Sequence, residues 1–356
     1  MKIENLDKNF IIEQGNADGK TVYEIPHPAF SLYGVFYEKE KEWFTRMPSN
    51  VSQTVSEGVD VLSKHTSGGR LCFSTDAKSM QVTATYREFW IMSHMPLTGS
   101  ASFTLCEVVD EKEKFVGNFM PISTDKEGFS ATLNLAGGTM KNYVLYFPLY
   151  NDVKSLFVAL DKGARVEKYN PYRAVKPIVY YGSSITQGGC ANRTDGAYQA
   201  LICKKNRVDF INLGFSGNAK GEDEMTDYLA SLDCSLFVCD YDHNAPNAAH
   251  LEATHFRLYE RYRKQRPNTP ILFITKPDWK RDVEGDKRHQ VIKNTYLKAK
   301  KLGDERVYFL SGKTFYGNRE PWEFAVDGCH PTDYGFRRMA DKIYKKICLI
   351  SDDFKE

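Results

Sequence analysis

The chain has 356 residues, of which 42% are hydrophobic and 26% are charged, a composition typical of a folded protein with a sizeable core. Its formal net charge of +2 supplies no overall field that would attract nucleic acid or anionic lipid, so we expect neither as a partner. No apolar run is long enough to cross a bilayer, and we expect no membrane-spanning segment. The length favours two domains over one.

The eight cysteines contain neither a CxxC pair nor a zinc-finger spacing, so we expect most of them to be reduced and packed. The N-terminal residues MKIENLDKNF lack the apolar segment of a secretory signal. A secreted or periplasmic protein that had been trimmed and given a new start Met would look the same as a cytoplasmic one. The compartment and the oligomeric state are therefore left open.

The first part of the chain alternates apolar and polar residues as β-strands do. Met80 to Tyr86, Phe103 to Val109 and Tyr143 to Phe147 are clear cases, and Gly, Pro and Asp turns separate such segments. We therefore predict an antiparallel β-sandwich, jelly-roll-like in type, over residues 1–172.

From residue 173 to residue 356, short apolar runs alternate with longer helix-like stretches. This pattern predicts a parallel sheet with helices on both faces. Ligands of such sheets bind at the carboxyl ends of the strands, so the polar residues after each run are the ones to inspect. The predicted strands are Ile178 to Tyr181, Val208 to Leu213, Ser235 to Cys239, Ile271 to Thr275 and Val307 to Leu310, and the predicted helices are Ala197 to Lys205, Ala248 to Arg263, Arg288 to Lys301 and Tyr334 to Ile347.

The first polar cluster, GSSIT at residues 182–186, contains two adjacent serines directly after a predicted strand. A serine hydroxyl becomes a useful nucleophile only where a base takes its proton and donors receive the developing oxyanion. By itself the cluster fits a serine-rich turn or a helix cap more simply. Thr186 stands where the second Gly of a GxSxG elbow would be, so that motif is not met.

Two further clusters follow the next predicted strands. NLGFSGN, at residues 212–218, would let a backbone N–H approach a substrate oxygen, although an ordinary turn is the simpler interpretation. DYDHN, at residues 240–244, ends in Asn244, whose side-chain amide is a candidate oxyanion donor. His243, His250 and His255 form no HExxH pattern, so a metal site is not favoured. We expect the last two histidines on the surface of a helix.

The fourth cluster, DGCHP at residues 327–331, precedes the last predicted helix. Its spacing lets a bent loop bring the Asp327 carboxylate onto the Nδ1 side of the His330 ring, which leaves Nε2 free as a base. A simple loop turn, with Thr332 or Asp333 capping the helix, is an equal alternative.

Taken together, the blocks GSSIT, NLGFSGN, DYDHN and DGCHP resemble those of the SGNH, or GDSL-type, hydrolase family. The resemblance implies a flavodoxin-like three-layer α/β fold and needs neither a cofactor nor a metal ion. Two positions depart from the family pattern: Ser183 replaces the usual Asp before the nucleophile, and Asp242 replaces the usual Gly of the Gly-x-Asn block. The family resemblance implies that Ser184 is the nucleophile, His330 the base and Asp327 the residue that orients His330. It also implies that the oxyanion is bound by the Ser184 N–H, the Gly217 N–H and the Asn244 side chain.

A narrower resemblance involves the first part of the chain. YFPLYNDVKSLFVAL, at residues 146–160, is similar to the end of the β-sandwich that precedes the catalytic domain in one bacterial SGNH esterase subgroup, and the segment TKPD at residues 275–278 is similar to that subgroup as well.

This family resemblance implies a serine esterase that removes a small acyl group, acetyl in the first instance, from a carbohydrate or small-molecule ester. An acyltransferase with the same catalytic residues and a non-catalytic carbohydrate-binding protein on a hydrolase fold are the alternatives. Core packing is the simpler interpretation of the aromatic residues in the sandwich part, although they are candidates for stacking on a sugar. These aromatic residues are Trp43, Phe44, Phe89 and Trp90, and the candidates for pocket walls near the site are Trp279 and Trp322.

Overall fold

The computed structural model describes residues 18–121, 128–277, 283–317 and 321–355. Its first part is built of antiparallel strands. In chain order these are β1 Lys20–Ile25, β2 Ser31–Tyr33, β3 Phe36–Glu38, β4 Trp43–Thr45, β5 Arg70–Thr75, β6 Ser79–Tyr86, β7 Phe103–Val109, β8 Lys112–Phe119, β9 Phe129–Asn134, β10 Lys141–Tyr146, β11 Val153–Asp161 and β12 Val166–Lys168.

Ten of these strands form two sheets that share one apolar core, and β3 pairs with β4 in a separate two-stranded sheet. The first sheet has the order β1-β11-β6-β9, and the second has the order β12-β5-β10-β7-β8, with β2 paired to β5. Val82 and Leu156 of the first sheet are buried together with Phe73 and Leu145 of the second. This arrangement confirms the predicted antiparallel sandwich. Short helices occupy three of its connections: α1 Ser49–Val55, α2 Glu57–Ser63 and α3 Leu97–Ser100.

The second part is a parallel sheet between two layers of helices, as predicted. Its strands are β13 Ile178–Gly182, β14 Phe210–Gly214, β15 Leu236–Asp240, β16 Ile271–Ile274 and β17 Val307–Leu310. Its helices are α4 Ser184–Gln187, α5 Tyr198–Asn206, α6 Asp223–Ser231, α7 Ala248–Gln265, α8 Val283–Lys301 and α9 Asp333–Ile347. Among the described residues, no helix has the length and apolar character needed to cross a membrane.

Both faces of this sheet are buried, which explains why its strands are continuous apolar runs rather than alternating ones. Tyr180 of β13 packs in the core that also contains Phe336 of α9. Its neighbour Tyr181 packs in the opposite core with Leu251 and Tyr262 of α7. The strand order β14-β13-β15-β16-β17 corresponds to the flavodoxin-like order 2-1-3-4-5. The order reverses at β13, so the switch point where such folds bind ligands lies between β13 and β15.

The sandwich covers one edge of this sheet, the strand β14. Arg46 is 2% exposed, and its guanidinium donates to the carbonyls of Asn212 (2.9 Å) and Gly214 (2.8 Å) on the edge strand β14. The same side chain donates to the carbonyl of His65 at 2.6 Å. An uncovered edge strand leaves unpaired backbone groups, and Arg46 supplies donors for two of them. The division at residues 172/173 stays a prediction; it falls between β12 and β13.

Candidate active site

The turn between β13 and α4 gives its two serines different surroundings. Ser183 is fully buried and caps α4, because its hydroxyl accepts a hydrogen bond from the Ile185 N–H at 3.2 Å. The Ser184 Oγ lies 2.8 Å from the His330 Nε2. The turn requires glycine at position 182, since a Cβ there would lie 2.3 Å from the carbonyl oxygen of Asp240. The helix cap and the candidate nucleophile are therefore separate residues.

The loop before α9 orients the His330 ring. The Oδ1 atom of Asp327 accepts backbone hydrogen bonds from Cys329 (3.0 Å) and His330 (2.8 Å), while Oδ2 lies 2.7 Å from His330 Nδ1. Partial burial works to raise the pKa of Asp327, but these hydrogen bonds from His330 and Cys329 lower it to about 2. An ionised carboxylate only accepts, so Nδ1 is the donor and Nε2 accepts from Ser184. Thr332 caps the following helix by accepting from the Gly335 N–H at 3.2 Å.

Gly217 and Asn244 are brought together by the loops after β14 and β15. The Gly217 N–H donates to the Asn244 Oδ1 at 3.2 Å, and the Asn244 Nδ2 donates to the Phe215 carbonyl at 2.6 Å. These two contacts determine which atom of the Asn244 amide is the oxygen and which is the nitrogen. The amide nitrogen has a second hydrogen to offer, whereas the Gly217 N–H is already engaged.

A glutamine that the sequence did not single out joins α4 to the Gly217 loop. The Oε1 atom of Gln187 accepts from the Ser216 N–H at 3.0 Å, and its Nε2 lies 3.0 Å from the Nδ1 of His65. Burial, with a smaller contribution from the positive charge of Arg46, lowers the pKa of His65 to about 3. His65 is thus neutral and accepts from Gln187, which connects the sandwich to the site.

The departure at Asp242 has a structural explanation. This carboxyl is fully buried, and its Oδ2 accepts from the backbone N–H of Lys276, just after β16, at 2.9 Å. Burial raises its pKa to about 6, and the Lys276 N–H partly opposes that rise. A glycine at this position would leave the loop after β16 without its anchor.

The sandwich contributes directly to the surroundings of Ser184. The Tyr150 hydroxyl donates to the Ser184 carbonyl at 3.2 Å. Tyr150 also lines a cleft of about 490 Å³. Its walls combine apolar side chains with the polar groups of the Gly217 loop, and they include Leu62, Trp90, Met92, Tyr150, Ser216 and Asn218.

Only one of the four sandwich aromatics singled out in the sequence, Trp90, lines this cleft. Phe44 is fully buried in the sandwich core, and Phe89 packs against that core. Trp322 is 64% exposed on the 3-10 helix Pro321–Phe324. Trp279 lies outside the described residues.

Both parts of the chain match known families. Residues 23–166 match the GxDLY family, which is described as the N-terminus of SGNH-hydro-type esterases. Residues 175–348 match the GDSL-like lipase/acylhydrolase family. The parallel-sheet part of the chain belongs to this family. The resemblance to the two-domain SGNH subgroup is thereby confirmed.

Solved structures similar to this protein match nearly the whole chain. A protein of Bacteroides ovatus ATCC 8483 that is assigned as a GDSL-like lipase has 27% sequence identity and a TM-score of 0.84, over 93% of this chain and 98% of its own. A salicylyl-acyltransferase from a tetracycline biosynthetic pathway has 18% identity and a TM-score of 0.78, over 94% of this chain and 98% of its own. An acetyl xylan esterase of the rumen bacterium Butyrivibrio proteoclasticus has 14% identity and a TM-score of 0.61, over 94% and 100%. The last two share the fold alone, and no curated protein matches the chain.

The GDSL-like blocks do not include every residue at the site. His94, in the loop before α3, has its Nε2 3.9 Å from the Asp327 Oδ2, and its ring centroid lies 5.6 Å from that of His330. Tyr150 and Gln187 were also missed. His94 stands in the sandwich part without a recognisable motif, whereas Tyr150 lies in the segment at residues 146–160 that resembles the esterase subgroup but was given no role there. Gln187 follows GSSIT directly, and its place in the same turn is the one signal that pointed to it.

Proposed function

We propose that this protein is a serine esterase that removes a small acyl group, acetyl in the first instance, from an oxygen ester of a carbohydrate. The observation that carries the proposal is the continuous hydrogen-bond chain from Ser184 Oγ through the His330 ring to Asp327, with contacts of 2.8 and 2.7 Å. This is the arrangement in which a serine hydroxyl passes its proton to an oriented imidazole.

In the proposed reaction, Ser184 Oγ bonds to the acyl carbon and its proton moves to His330 Nε2. The tetrahedral intermediate collapses, the ester C–O bond breaks, and the leaving alcohol takes the proton from His330. Water then attacks the acyl-serine ester and gives its proton to His330; the bond between the acyl carbon and Ser184 Oγ breaks, Oγ takes that proton back, and the acid departs. Asp327 keeps Nδ1–H in place and stabilises the positive ring that forms each time.

The oxyanion would be held by the Ser184 N–H, the Gly217 N–H and the Asn244 Nδ2. Ser184 is the first residue of α4, where a backbone N–H has no partner within the helix. Because the Gly217 N–H donates to the Asn244 Oδ1, it would have to share or release that bond as the oxyanion forms. The second hydrogen of the Asn244 amide nitrogen requires no such rearrangement.

The choice of a carbohydrate ester is supported by two observations. The cleft lined by Tyr150, whose hydroxyl contacts the Ser184 carbonyl, offers Trp90, an aromatic surface on which a sugar ring can stack, next to the polar Ser216 and Asn218. The acetyl xylan esterase with the same fold acts in this substrate class. The hydrogen-bonded Ser184, His330 and Asp327 favour an esterase over a non-catalytic carbohydrate-binding protein.

Hydrolysis of a short-chain aryl acetate tests the proposal. We expect turnover by the wild type, a loss of at least about 10⁴-fold in kcat for Ser184→Ala, and an unchanged melting temperature. Ser183→Ala, which removes the neighbouring hydroxyl, is the matched control and should keep most of the turnover. Equal rates for Ser184→Ala and wild type would reject Ser184 as the nucleophile.

The substrate is tested separately with acetylated xylan fragments, whose loss of acetyl groups is followed by mass spectrometry. Added alcohols distinguish transfer from hydrolysis, because transfer yields an acylated alcohol in place of free acetic acid. The fold shared with a salicylyl-acyltransferase is the reason to include this comparison. An ester product that exceeds acetate would favour the acyltransferase.

A further inference from the structure

Four potential metal ligands meet at the edge of the site, and two of them have no part in the proposed reaction. One ligand atom from each of His94, Cys190, Asp327 and His330 lies within 4.8 Å of every other. They come from three separate segments: the loop before α3, the loop after α4 and the loop before α9. No spacing in the sequence connects these segments.

The identity of the donors is selective. Two imidazole nitrogens, one thiolate sulfur and one carboxylate oxygen are the ligand types of Zn²⁺, which binds four of them tetrahedrally at about 2.0 to 2.3 Å. Ligand atoms at such distances stand about 3.5 Å apart, so small side-chain rotations would close the observed spacing around an ion. A site for Mg²⁺ or Ca²⁺ would instead consist of oxygen atoms.

The backbone around Cys190 is shaped for close approach. Cys190 has a φ of 72°, in the left-handed region that residues other than glycine seldom adopt. At the preceding residue, Gly189, a Cβ would lie 3.0 Å from the Cδ2 of His330. The backbone at Gly189 therefore packs closely against the His330 ring, directly before the residue that carries the thiol. Backbone strain of this kind is concentrated at functional sites.

Solvent can reach the cluster from one side. The side chains of His94 and Asp327 are 36% and 35% exposed, whereas Cys190 is 2% exposed. An entering ion would meet His94 and the carboxylate first and then the buried thiol, which releases its proton to solvent as the sulfur binds.

We propose that His94, Cys190, Asp327 and His330 form a site for Zn²⁺ or a similar thiophilic divalent cation, and that an ion bound there switches the esterase off. The ion would occupy His330, which can then no longer take the proton of Ser184. It would also draw Asp327 away from Nδ1. His94 and Cys190 add two ligands that the reaction does not use, so they should strengthen binding of the ion beyond what His330 and Asp327 alone would give.

The binding test does not depend on activity. Ser184→Ala protein, which retains all four ligands, is titrated with ZnCl₂ in a calorimeter, and with Co²⁺ to record the thiolate-to-metal absorption band. We expect one ion per chain, at least tenfold weaker binding after His94→Ala or Cys190→Ala in the same background, and no Co²⁺ thiolate band without Cys190. His250→Ala, a histidine on α7, is the matched control and should bind as before.

The inhibition arm rests on the proposed function. For each variant, the aryl acetate rate with zinc is divided by its own rate with a chelator, so differences in basal activity cancel. We expect the zinc concentration for half-inhibition to rise at least tenfold in His94→Ala and in Cys190→Ala. Identical inhibition of these variants and wild type, or no binding to the Ser184→Ala protein, would overturn the site. Absence of esterase turnover with zinc binding intact would instead count against the proposed function.

Discussion

The sandwich meets the parallel sheet in two regions that use polar groups in opposite ways. Along β14, Arg46 and Arg70 are fully enclosed, and their guanidinium groups bind backbone carbonyls of that strand. At the carboxyl ends of β13 and β15, the His330 and Asp327 side chains remain 18% and 35% exposed. The first region uses its hydrogen bonds to hold two layers together. The second region leaves the His330 ring able to take and return a proton. Substitutions there should therefore lower kcat far more than they lower the free energy of unfolding.

After Ser184→Ala, the largest effect should come from Asp327→Asn. Its Oδ1 accepts from two backbone N–H groups, so an Asn in this position should keep its oxygen there and turn its NH₂ toward His330 Nδ1. Nδ1 would then have to accept, the ring proton would move to Nε2, and the base would be lost. We expect kcat to fall about 10³- to 10⁴-fold with little change in melting temperature. Asp333→Asn is the matched control; if both variants lost activity equally, the orienting role of Asp327 would be refuted.

The next effect concerns Asn244. Asn244→Ala removes a proposed oxyanion donor, and we expect kcat to fall about 10²- to 10³-fold while KM changes little. Asn244→Asp is the sharper variant, since it can keep the contact with the Gly217 N–H but has no N–H to donate. An Asp variant that turns over like wild type would exclude Asn244 as an oxyanion donor.

The opposite region is probed by Arg70→Met. The Arg70 side chain is fully buried, pairs with Asp209 at 3.0 Å, donates to the Phe210 carbonyl at 2.7 Å and stacks 3.8 Å above the Phe210 ring. Its removal leaves a carboxylate without its partner, so we expect the free energy of unfolding to fall by about 2 to 3 kcal/mol, with kcat of the folded protein unchanged.

Lys176→Met is the control for that experiment, because Lys176 pairs with Asp233 while both side chains are more than half exposed, at 61% and 62%. Such surface pairs contribute little to stability. A loss of turnover in Arg70→Met without a loss of stability would contradict the division of labour between the two regions.

The sequence could predict those features of the parallel part that depend on local patterns along the chain. The five parallel strands were found because strands buried on both faces are continuous apolar runs, and β17 was predicted with its exact bounds Val307–Leu310. The residues that we propose for the site in the parallel part could be named from the sequence because each follows a strand or precedes the last helix. Helix α6 was missed, although Asp223 and Glu224 in its first turn are a signal for the start of a helix.

Residues whose surroundings depend on distant segments could not be predicted. His255 was expected on a helix surface but is 1% exposed, stacked on Tyr241 with ring centroids 5.6 Å apart. A single histidine at helical spacing does not reveal which side of the helix faces the sheet. Trp90 was named as a candidate for stacking on a sugar and His94 was not singled out, but neither could be placed at the site, because only the tertiary fold brings the loop between β6 and α3 there.

The central claim is that Ser184, and not Ser183, is the nucleophile, and covalent labelling tests it most directly. A sulfonyl fluoride or fluorophosphonate reagent that forms a stable ester with an activated serine is added, and the modified peptide is identified by mass spectrometry. We predict one label per chain, located on Ser184, with loss of turnover in proportion to labelling; Ser183→Ala should label like wild type and Ser184→Ala should not. A label on another residue that abolishes turnover, or full turnover after Ser184 is labelled, would contradict the account.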